Sequence, residues 1–402
     1  MKQKITAIVM GGSTNALGQI RAAHQAGYDC INIVEKGMHA WSSKSKYCKG
    51  YIGPHPYNEK ENCLKFLFDI ISKVDGKPFL FFASDDWMDL VGEYEKEFRE
   101  VAYIPQMPWD EMSKLYNKKF LYRIAEENGI PYPKTVELTS LKELGTAIDK
   151  LTSPYIVKPQ TTVSQNMVAQ AGVVSYHRTQ KFADKAQAMS WAKQLLDGNV
   201  DFPVLIQEFI PGDATKLYTL TSYSDAEGNL IAGSVGHKLR QFPPEAGRIT
   251  SGVLEHSPEM FELGRNFLKK VHYHGLANTE FKLDDRDGLY KLMEINTRLG
   301  AWNYSVLYSG LNLVKVAVED TFGKKYDGPE YYSDKDGAIW YNISYDLGTS
   351  MIMNKRIGEK EHVLTFGQWK KSLGKKHFEA VWDIHDIKPF LYSVMAFAKK
   401  SL

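Results

Sequence analysis

Three short apolar runs near the N-terminus constrain the fold more than any other feature. "ITAIVM" (5–10), "CINIVEK" (30–36) and "KPFLFFAS" (77–84) each read as a strand. Between the first two lies "GGSTNALG", and from Asn15 the chain has helical character until a glycine stop at Gly27. A strand, a glycine turn, a helix and a second strand open a doubly wound α/β sheet. The third run ends in the acidic pair Asp85 and Asp86.

The chain has 402 residues, enough for two to four structural units. It is 43% apolar and 24% charged, the composition of a globular protein. A net charge of +2 is too small for a nucleic-acid-binding tail or a polybasic membrane patch. No stretch approaches the roughly 18 apolar residues of a membrane span, and the short apolar run after Met1 reads as a strand rather than a leader. The three cysteines, Cys30, Cys48 and Cys63, fit neither a disulfide framework nor a metal spacing. A reducing cytoplasm is therefore expected.

The pattern changes near residue 112. "SKLYNKKFLYRIAEENGIPYPKT" is a predicted helix with Phe120, Leu121, Ile124 and Ala125 on one side, stopping at Asn128-Gly129 before Pro131 and Pro133. Strand and helix patterns then alternate: "KTVELT", "LKELGTAIDKL", "PYIVKP", a polar loop, "AGVVSYH", a helix over about 183–196, and "VLIQEFI". Longer strands follow in "LYTLTSYSD" and "LIAGSVGHKLRQF", then a helix over about 258–272 and an acidic hairpin. The expected units are 1–112 (α/β), 113–210 and 211–330 (both α+β, on antiparallel sheets) and a C-terminal α/β appendage, 331–402. No internal repeat or low-complexity segment interrupts them.

The hairpin is "GLANTEFKLDDRDGLYKLMEINTR". "DDRDG" is a turn signal. A turn centred on Arg286 makes paired residue numbers sum to an even value, so Glu280, Glu294 and Asn296 emerge on one face. Glu280 then lies diagonally across from Glu294, at about 7 Å between backbones. Two carboxylates that close repel unless protonated or bridged by a cation. Two carboxylates and an amide oxygen are hard-oxygen ligands suited to Mg²⁺ or Mn²⁺. The same three residues would equally suit an exposed, solvated sheet face.

"TEF…MEINTRLG" resembles the metal-binding strand pair of ATP-grasp enzymes: an acidic residue on one strand, Glu-x-Asn-x-Arg on the next. The resemblance implies a fold in which an N-terminal Rossmann-like domain precedes two α+β subdomains that clamp ATP. It further implies that Glu280, Glu294 and Asn296 hold two Mg²⁺ ions between the ATP phosphates, and that Arg298 faces the transferring phosphoryl group or acyl phosphate. Other segments occur in the family's order. "SPYIVKP" delivers Lys158, in the position of the lysine that reaches the α- and β-phosphates. Lys118 takes the lysine position of the family's Asp-Lys helix, with Asn117 in place of the usual Asp. "QTTVSQNMVAQAG" takes the place of the phosphate-covering lid, polar here rather than glycine-rich. "VLIQEFIPGD" resembles the adenine hinge, with Glu208 and Ile210 offering backbone groups, Gln207 alongside and Asp213 toward the ribose.

On "GHKLRQFPPEAG", Lys238 and Arg240 are two apart and share a face by alternation, so both are expected to meet phosphate or a substrate carboxylate. His237 points the other way and is expected to be structural. "KLRQFPP" is similar to D-aspartate-ligase-like and uncharacterised members of the superfamily. "GGSTNALG" does not fit G-x-G-x-x-G, which argues against a dinucleotide site; in ATP-grasp enzymes such a turn borders the acceptor site instead. His385 in "WDIHD" reads as solvated surface, and His272 and His274 carry no expected ligand role. Trp302 suits either an acceptor-pocket wall or the core.

These resemblances span residues 1 to about 325. They imply an ATP- and Mg²⁺-dependent carboxylate–amine ligase acting on small molecules through an acyl phosphate, with a homodimer possible by analogy. A phosphotransferase on the same fold and a nucleotide-binding regulator without turnover are the alternatives.

Overall fold

The structure, a computed structural model, describes residues 4–38, 40–138, 144–159, 180–197, 204–244 and 247–401. The chain forms two compact units. One comprises Met1–Met112, Leu217–Thr279 and Asn296–Leu402; the other comprises Ser113–Lys216 and Glu280–Ile295.

The first unit begins with four parallel strands: β1 (Thr6–Met10), β2 (Asp29–Glu35), β3 (Lys49–Gly53) and β4 (Phe79–Phe82), in the order β3-β2-β1-β4. β1 and β4 are buried throughout, as strands covered on both faces must be. Helices α1 (Ser13–Gln25) and α2 (Lys60–Ser72) lie within the β1–β2 and β3–β4 connections. The strand order reverses between β1 and β4. After β1 the chain turns at Gly11, whose φ of +111° is open to glycine and whose missing Cβ would sit 2.9 Å from the Ala83 carbonyl carbon. Buried Asn32 holds this turn, donating Nδ2 to the Val9 and Gly11 carbonyls at 2.9 Å each. Two further bonds join the exits of β1 and β4: Asn15 Nδ2 to the Ala83 carbonyl (3.2 Å) and Gln19 Nε2 to the Phe82 carbonyl (3.0 Å). After Ser84 begins α3 (Asp85–Glu93).

A larger sheet in the same unit is built on β9 (Leu217–Ser224), β10 (Leu230–Phe242) and β11 (Arg248–Leu254), all antiparallel. β14 (Ile339–Tyr341) and β15 (His377–Glu379) extend it beyond β11. The last 70 or so residues, expected as an appendage, thus supply two strands to this sheet. They are fastened at several points: buried Arg21 of α1 donates to the Ala380 and Val381 carbonyls, and buried Asp386 accepts from Ser45 Oγ at 2.6 Å and Lys46 N–H at 2.9 Å. Asp386 of "WDIHD" is therefore a buried tether, whereas His385 is exposed as expected. Trp302 resolves to the core, 3% exposed, its ring lying where Cβ atoms on Gly236 and Gly252 would stand. On the other side of β9 lies β12 (Gly275–Asp284), which runs into a hairpin with β13 (Leu289–Asn296).

The second unit carries an antiparallel sheet of β5 (Thr135–Leu138), β6 (Tyr155–Pro159), β7 (Gln180–Phe182) and β8 (Val204–Glu208), in the order β5-β8-β6-β7. The Lys185–Asp197 helix packs on it through Ala188, Ala192 and Leu195 around Leu138, Ile148, Val157 and Ile206. The 3.6-residue period of the α-helix Lys118–Glu127 turns Leu121, Tyr122 and Ala125 inward, and all three are buried. "AGVVSYH" and "QTTVSQNMVAQAG" lie outside the described residues.

Candidate functional site

In the second unit the Lys118–Glu127 helix starts at Asn117, whose side-chain oxygen accepts from Lys119 N–H at 2.9 Å and Phe120 N–H at 3.2 Å. An aspartate there would make the same bonds, so the asparagine keeps the cap and drops only the charge. The cap fixes where Lys118 emerges. Its Nζ donates to the Met293 carbonyl at 2.9 Å and to Glu294 Oε2 at 3.2 Å. Burial, the largest influence on this ammonium, lowers its pKa, but Glu294, Tyr122 and Glu280 together hold it above the ordinary lysine value. Glu280 and Glu294 thus both act on one cation. Tyr122, one turn on, donates to the Met293 carbonyl (3.1 Å) and accepts from Gln207 Nε2 (3.0 Å), which also reaches Thr135 Oγ1 (2.7 Å). Gln207 is buried and its amide is engaged in this chain of bonds.

Gly288 N–H donates to the Asp284 carbonyl at 2.8 Å, closing a turn that straddles Arg286. Glu294 and Asn296 follow on β13 at i and i+2 and so share a face. The donor set fits a hard divalent ion: carboxylate and amide oxygens, with the Glu294 side chain 44% exposed and already attracting a cation.

At the end of β8 the ladder closes with Glu208 N–H to the Lys134 carbonyl and Phe209 N–H to the Pro154 carbonyl, both 2.9 Å. The Glu208 carboxylate accepts from Thr152 N–H at 3.0 Å. Ile210 is buried just beyond the paired residues. Phe209 carries ammonium groups of Lys181 and Lys282 at 4.2 and 4.7 Å from its ring centre. Asp213 accepts the Thr215 N–H (2.9 Å) and hydroxyl (2.6 Å). Lys158 stands on β6, paired with Leu205 of β8.

In the first unit Arg298 makes a two-pronged ion pair with Asp85: Nε to Oδ1 at 2.6 Å and one terminal nitrogen to Oδ2 at 3.0 Å. Gln106, buried, donates Nε2 to the Thr297 carbonyl at 2.6 Å and fixes the backbone beside it. Asp86 and Asp89 share α3 with Asp85. Burial raises the Asp86 carboxyl, with Asp85 adding to the rise and His55 and Arg298 opposing it. Burial, then Asp85, Asp86 and Glu93, push Asp89 up to about 7 against the pull of Arg298.

Arg248 of β11 donates one terminal nitrogen to Ser13 Oγ (2.9 Å), Thr14 Oγ1 (3.1 Å) and Asn15 Oδ1 (3.2 Å). It is crowded by protein yet open to solvent; desolvation, chiefly, and the nearby charge of Arg298 lower its pKa. Lys238 is buried, with Nζ 3.3 Å from Gln241 Oε1. The β10–β11 register shifts on both sides of Arg240, so the simple alternation that set Lys238 and Arg240 on one face is interrupted there. Arg240 grips fully buried Asp346 with two bonds, 2.9 and 2.6 Å, and Ser372 with a third; Thr250 and Trp369 complete the Asp346 shell. His237 pairs with Glu255, and burial, the chief influence, lowers the pKa of His274 beside Tyr223.

The sequence reading did not single out Arg248 or Asp89, nor the Asp85–Arg298 pair. "DDWMD" after a buried strand was the available signal for the acidic group. Arg248 had none, because "RITSGVL" was not recognised as a strand.

Residues 227–339 match the family described as "ATP-grasp in the biosynthetic pathway with Ter operon". D-aspartate ligase of Enterococcus faecium (strain Aus0004) is 25% identical over 350 residues, covering 84% of this chain and 82% of the relative. Among solved structures, N5-carboxyaminoimidazole synthetase from Staphylococcus aureus superposes with a TM-score of 0.64 at 13% identity, over 90% of this chain and 88% of the other. L-amino acid ligase from Bacillus licheniformis superposes with a TM-score of 0.60 at 15% identity, over 84% and 78%.

Proposed function

We propose that the chain is an ATP-grasp ligase that joins a small-molecule carboxylate to an amine, converting ATP to ADP and phosphate. The relative named D-aspartate ligase and the structural neighbour named L-amino acid ligase support an amide-forming reaction. The observation that supports it most is the cation-and-carboxylate set of the hairpin: Lys118 bonded to Glu294, Glu280 acting on the same ammonium, and Asn296 two residues on.

In this reading Glu280, Glu294 and Asn296 hold Mg²⁺, which when bound supplies charge neutralisation on the triphosphate. Lys118 and Lys158 bind phosphate oxygens. Glu208 and Ile210 present backbone groups to adenine, with Gln207 holding the hinge through Tyr122 and Thr135 and Asp213 toward the ribose. The substrate carboxylate attacks the γ-phosphorus and ADP leaves; the amine then attacks the acyl carbon, and phosphate departs with the C–O electron pair. Arg298 stabilises charge developing on the acyl phosphate, and Asp85 orients its fork. Lys238 is assigned to an anionic substrate group. Arg240 reaches the chemistry only through its neighbours, because its guanidinium is engaged by Asp346 and Ser372. The free thiols of Cys30, Cys48 and Cys63 support a cytoplasmic setting.

The test is mass spectrometry of products from MgATP with a panel of carboxylates and amines. Amide with ADP and free phosphate is expected. A phosphoester without free phosphate would instead identify a phosphotransferase, and no ADP with any pair a non-catalytic binder.

A further inference from the structure

The helix Ile387–Ser401 has apolar residues all round, and such a helix is normally covered on every side. Only one side is covered here. Ser393 is buried, Phe390 and Ala396 pack on the core of the first unit, and the Phe397 ring meets Tyr345 edge-on at 5.8 Å. The opposite side carries Ile387, Leu391 and Met395, four apart and so in one stripe, with Leu391 50% and Met395 57% exposed. Exposed Trp382 and Ile384 lead into it. By helical rotation Lys388 and Tyr392 lie along one flank of the stripe. Lys44 stands there too, its Nζ 5.8 Å from the centre of the Tyr392 ring. Lys46 is held beside the start of the helix, because Asp386 accepts both its N–H and the Ser45 hydroxyl. Lys44, Lys46 and Lys388 are all exposed. The stretch 36–58 has four lysines and the stretch 387–402 has three, and neither contains an aspartate or a glutamate. The acids just before the helix turn inward: Glu379 accepts from the Ile343 and Val381 N–H groups, Asp383 lies against buried Arg21, and Asp386 is buried. The net charge of +2 is an average that conceals this segregation.

We propose that this face rests on an anionic lipid bilayer, with the helix lying along the surface. Ile387, Leu391 and Met395 enter the acyl boundary, Trp382 and Tyr392 sit at headgroup level, and the lysines meet lipid phosphates. The helix spans about 22 Å, and no described helix is long and apolar enough to cross a membrane, so the attachment is peripheral. A second copy of the chain is the other apolar cover available. A two-fold contact through the stripe would set the same lysines of both copies against each other, which costs affinity, whereas an anionic surface uses them. None of these residues belongs to the candidate ATP site.

The experiment is flotation of the full chain with vesicles of phosphatidylcholine alone and with about 30% phosphatidylglycerol. The chain is expected to bind the anionic vesicles at least about tenfold more tightly than the neutral ones, and to lose at least about tenfold of that affinity in about 0.5 M salt. Leu391→Asp with Met395→Asp is expected to weaken binding to the anionic vesicles by at least about tenfold. Lys44→Glu with Lys388→Glu is expected to erase the preference for anionic over neutral vesicles. Both pairs change exposed side chains, and circular dichroism checks that the fold is kept; if one pair unfolds the chain, the other carries the comparison. Absence of binding to the anionic vesicles overturns the proposal, as does equal binding to the neutral ones or indifference to whichever variants fold. Sedimentation equilibrium separates the bilayer from a second copy. A parent dimer that Leu391→Asp with Met395→Asp converts to monomer would assign the face to self-association and overturn the bilayer, whereas a monomeric parent agrees with it.

Discussion

Arg298 and its neighbours on α3 show how one side chain takes its chemistry from what surrounds it. Asp85 holds both prongs of the fork, yet its own side chain is 44% exposed and can be hydrated when the arginine is gone. Arg298→Ala is therefore expected to fold and to bind nucleotide, with turnover lower by at least about tenfold; normal turnover in that variant would refute its role in the reaction. Asp89 has the opposite character. Its carboxyl, raised to about 7 chiefly by burial and then by Asp85, Asp86 and Glu93, must give up its proton at neutral pH in an unfavourable place. The native state holds that proton up to about pH 7, whereas the unfolded chain releases it near the ordinary aspartate value. Stability from this group is thus fully present at low pH and lost as pH rises toward 7 and above. Asp89→Asn is expected to be more stable than the parent at pH 8, with the gap closing as pH falls toward 4. Urea unfolding midpoints at several pH values measure it, and a constant gap would remove the burial argument.

At the scale of elements, the helix from Lys118 and the β12–β13 hairpin carry most of the candidate ATP machinery. The helix depends on its cap: Asn117→Ala is expected to cost about 1 kcal/mol by urea unfolding, while Asn117→Asp costs little, since either oxygen serves the same two N–H groups. The hairpin is expected to make nucleotide uptake depend on a divalent ion. Calorimetry with EDTA in place of Mg²⁺, or with Glu294→Gln, should show ATP affinity lower by at least about tenfold, and undiminished affinity in both would dismiss the metal role. The hairpin was legible because a period of two and a turn centred on Arg286 decide which residues share a face. The lysine's partner was not, because Lys118 meets Glu294 across 176 positions of chain. Strand β11 was missed since "RITSGVL" mixes a charge, hydroxyls and a glycine. It reads as a loop until β10 and β14 pair with it on either side.

Over the whole molecule, the large sheet of the first unit depends on a buried charge. Asp346 is fully buried and accepts from Arg240, Thr250 and Trp369. Asp346→Ala leaves the Arg240 guanidinium without its partner and is expected to destabilise the protein by about 3–5 kcal/mol, read as a shift in the urea midpoint; a change under about 1 kcal/mol would show that the network contributes little. Arg240 itself looked from the sequence like a companion of Lys238, because alternation is a local rule. The register shifts that break it arise only when β11 is laid beside β10. Local order in the chain was sufficient for the strands and glycine turn of the parallel sheet, the antiparallel strands, the acidic hairpin and the capped helix, since each depends on neighbours within a few residues. The pairing of Arg298 with Asp85 and the engagement of Arg240 by Asp346 were decided by tertiary structure alone. Charges separated by tens to hundreds of residues acquire partners, and hence pKa values and roles, only when the fold brings them within reach.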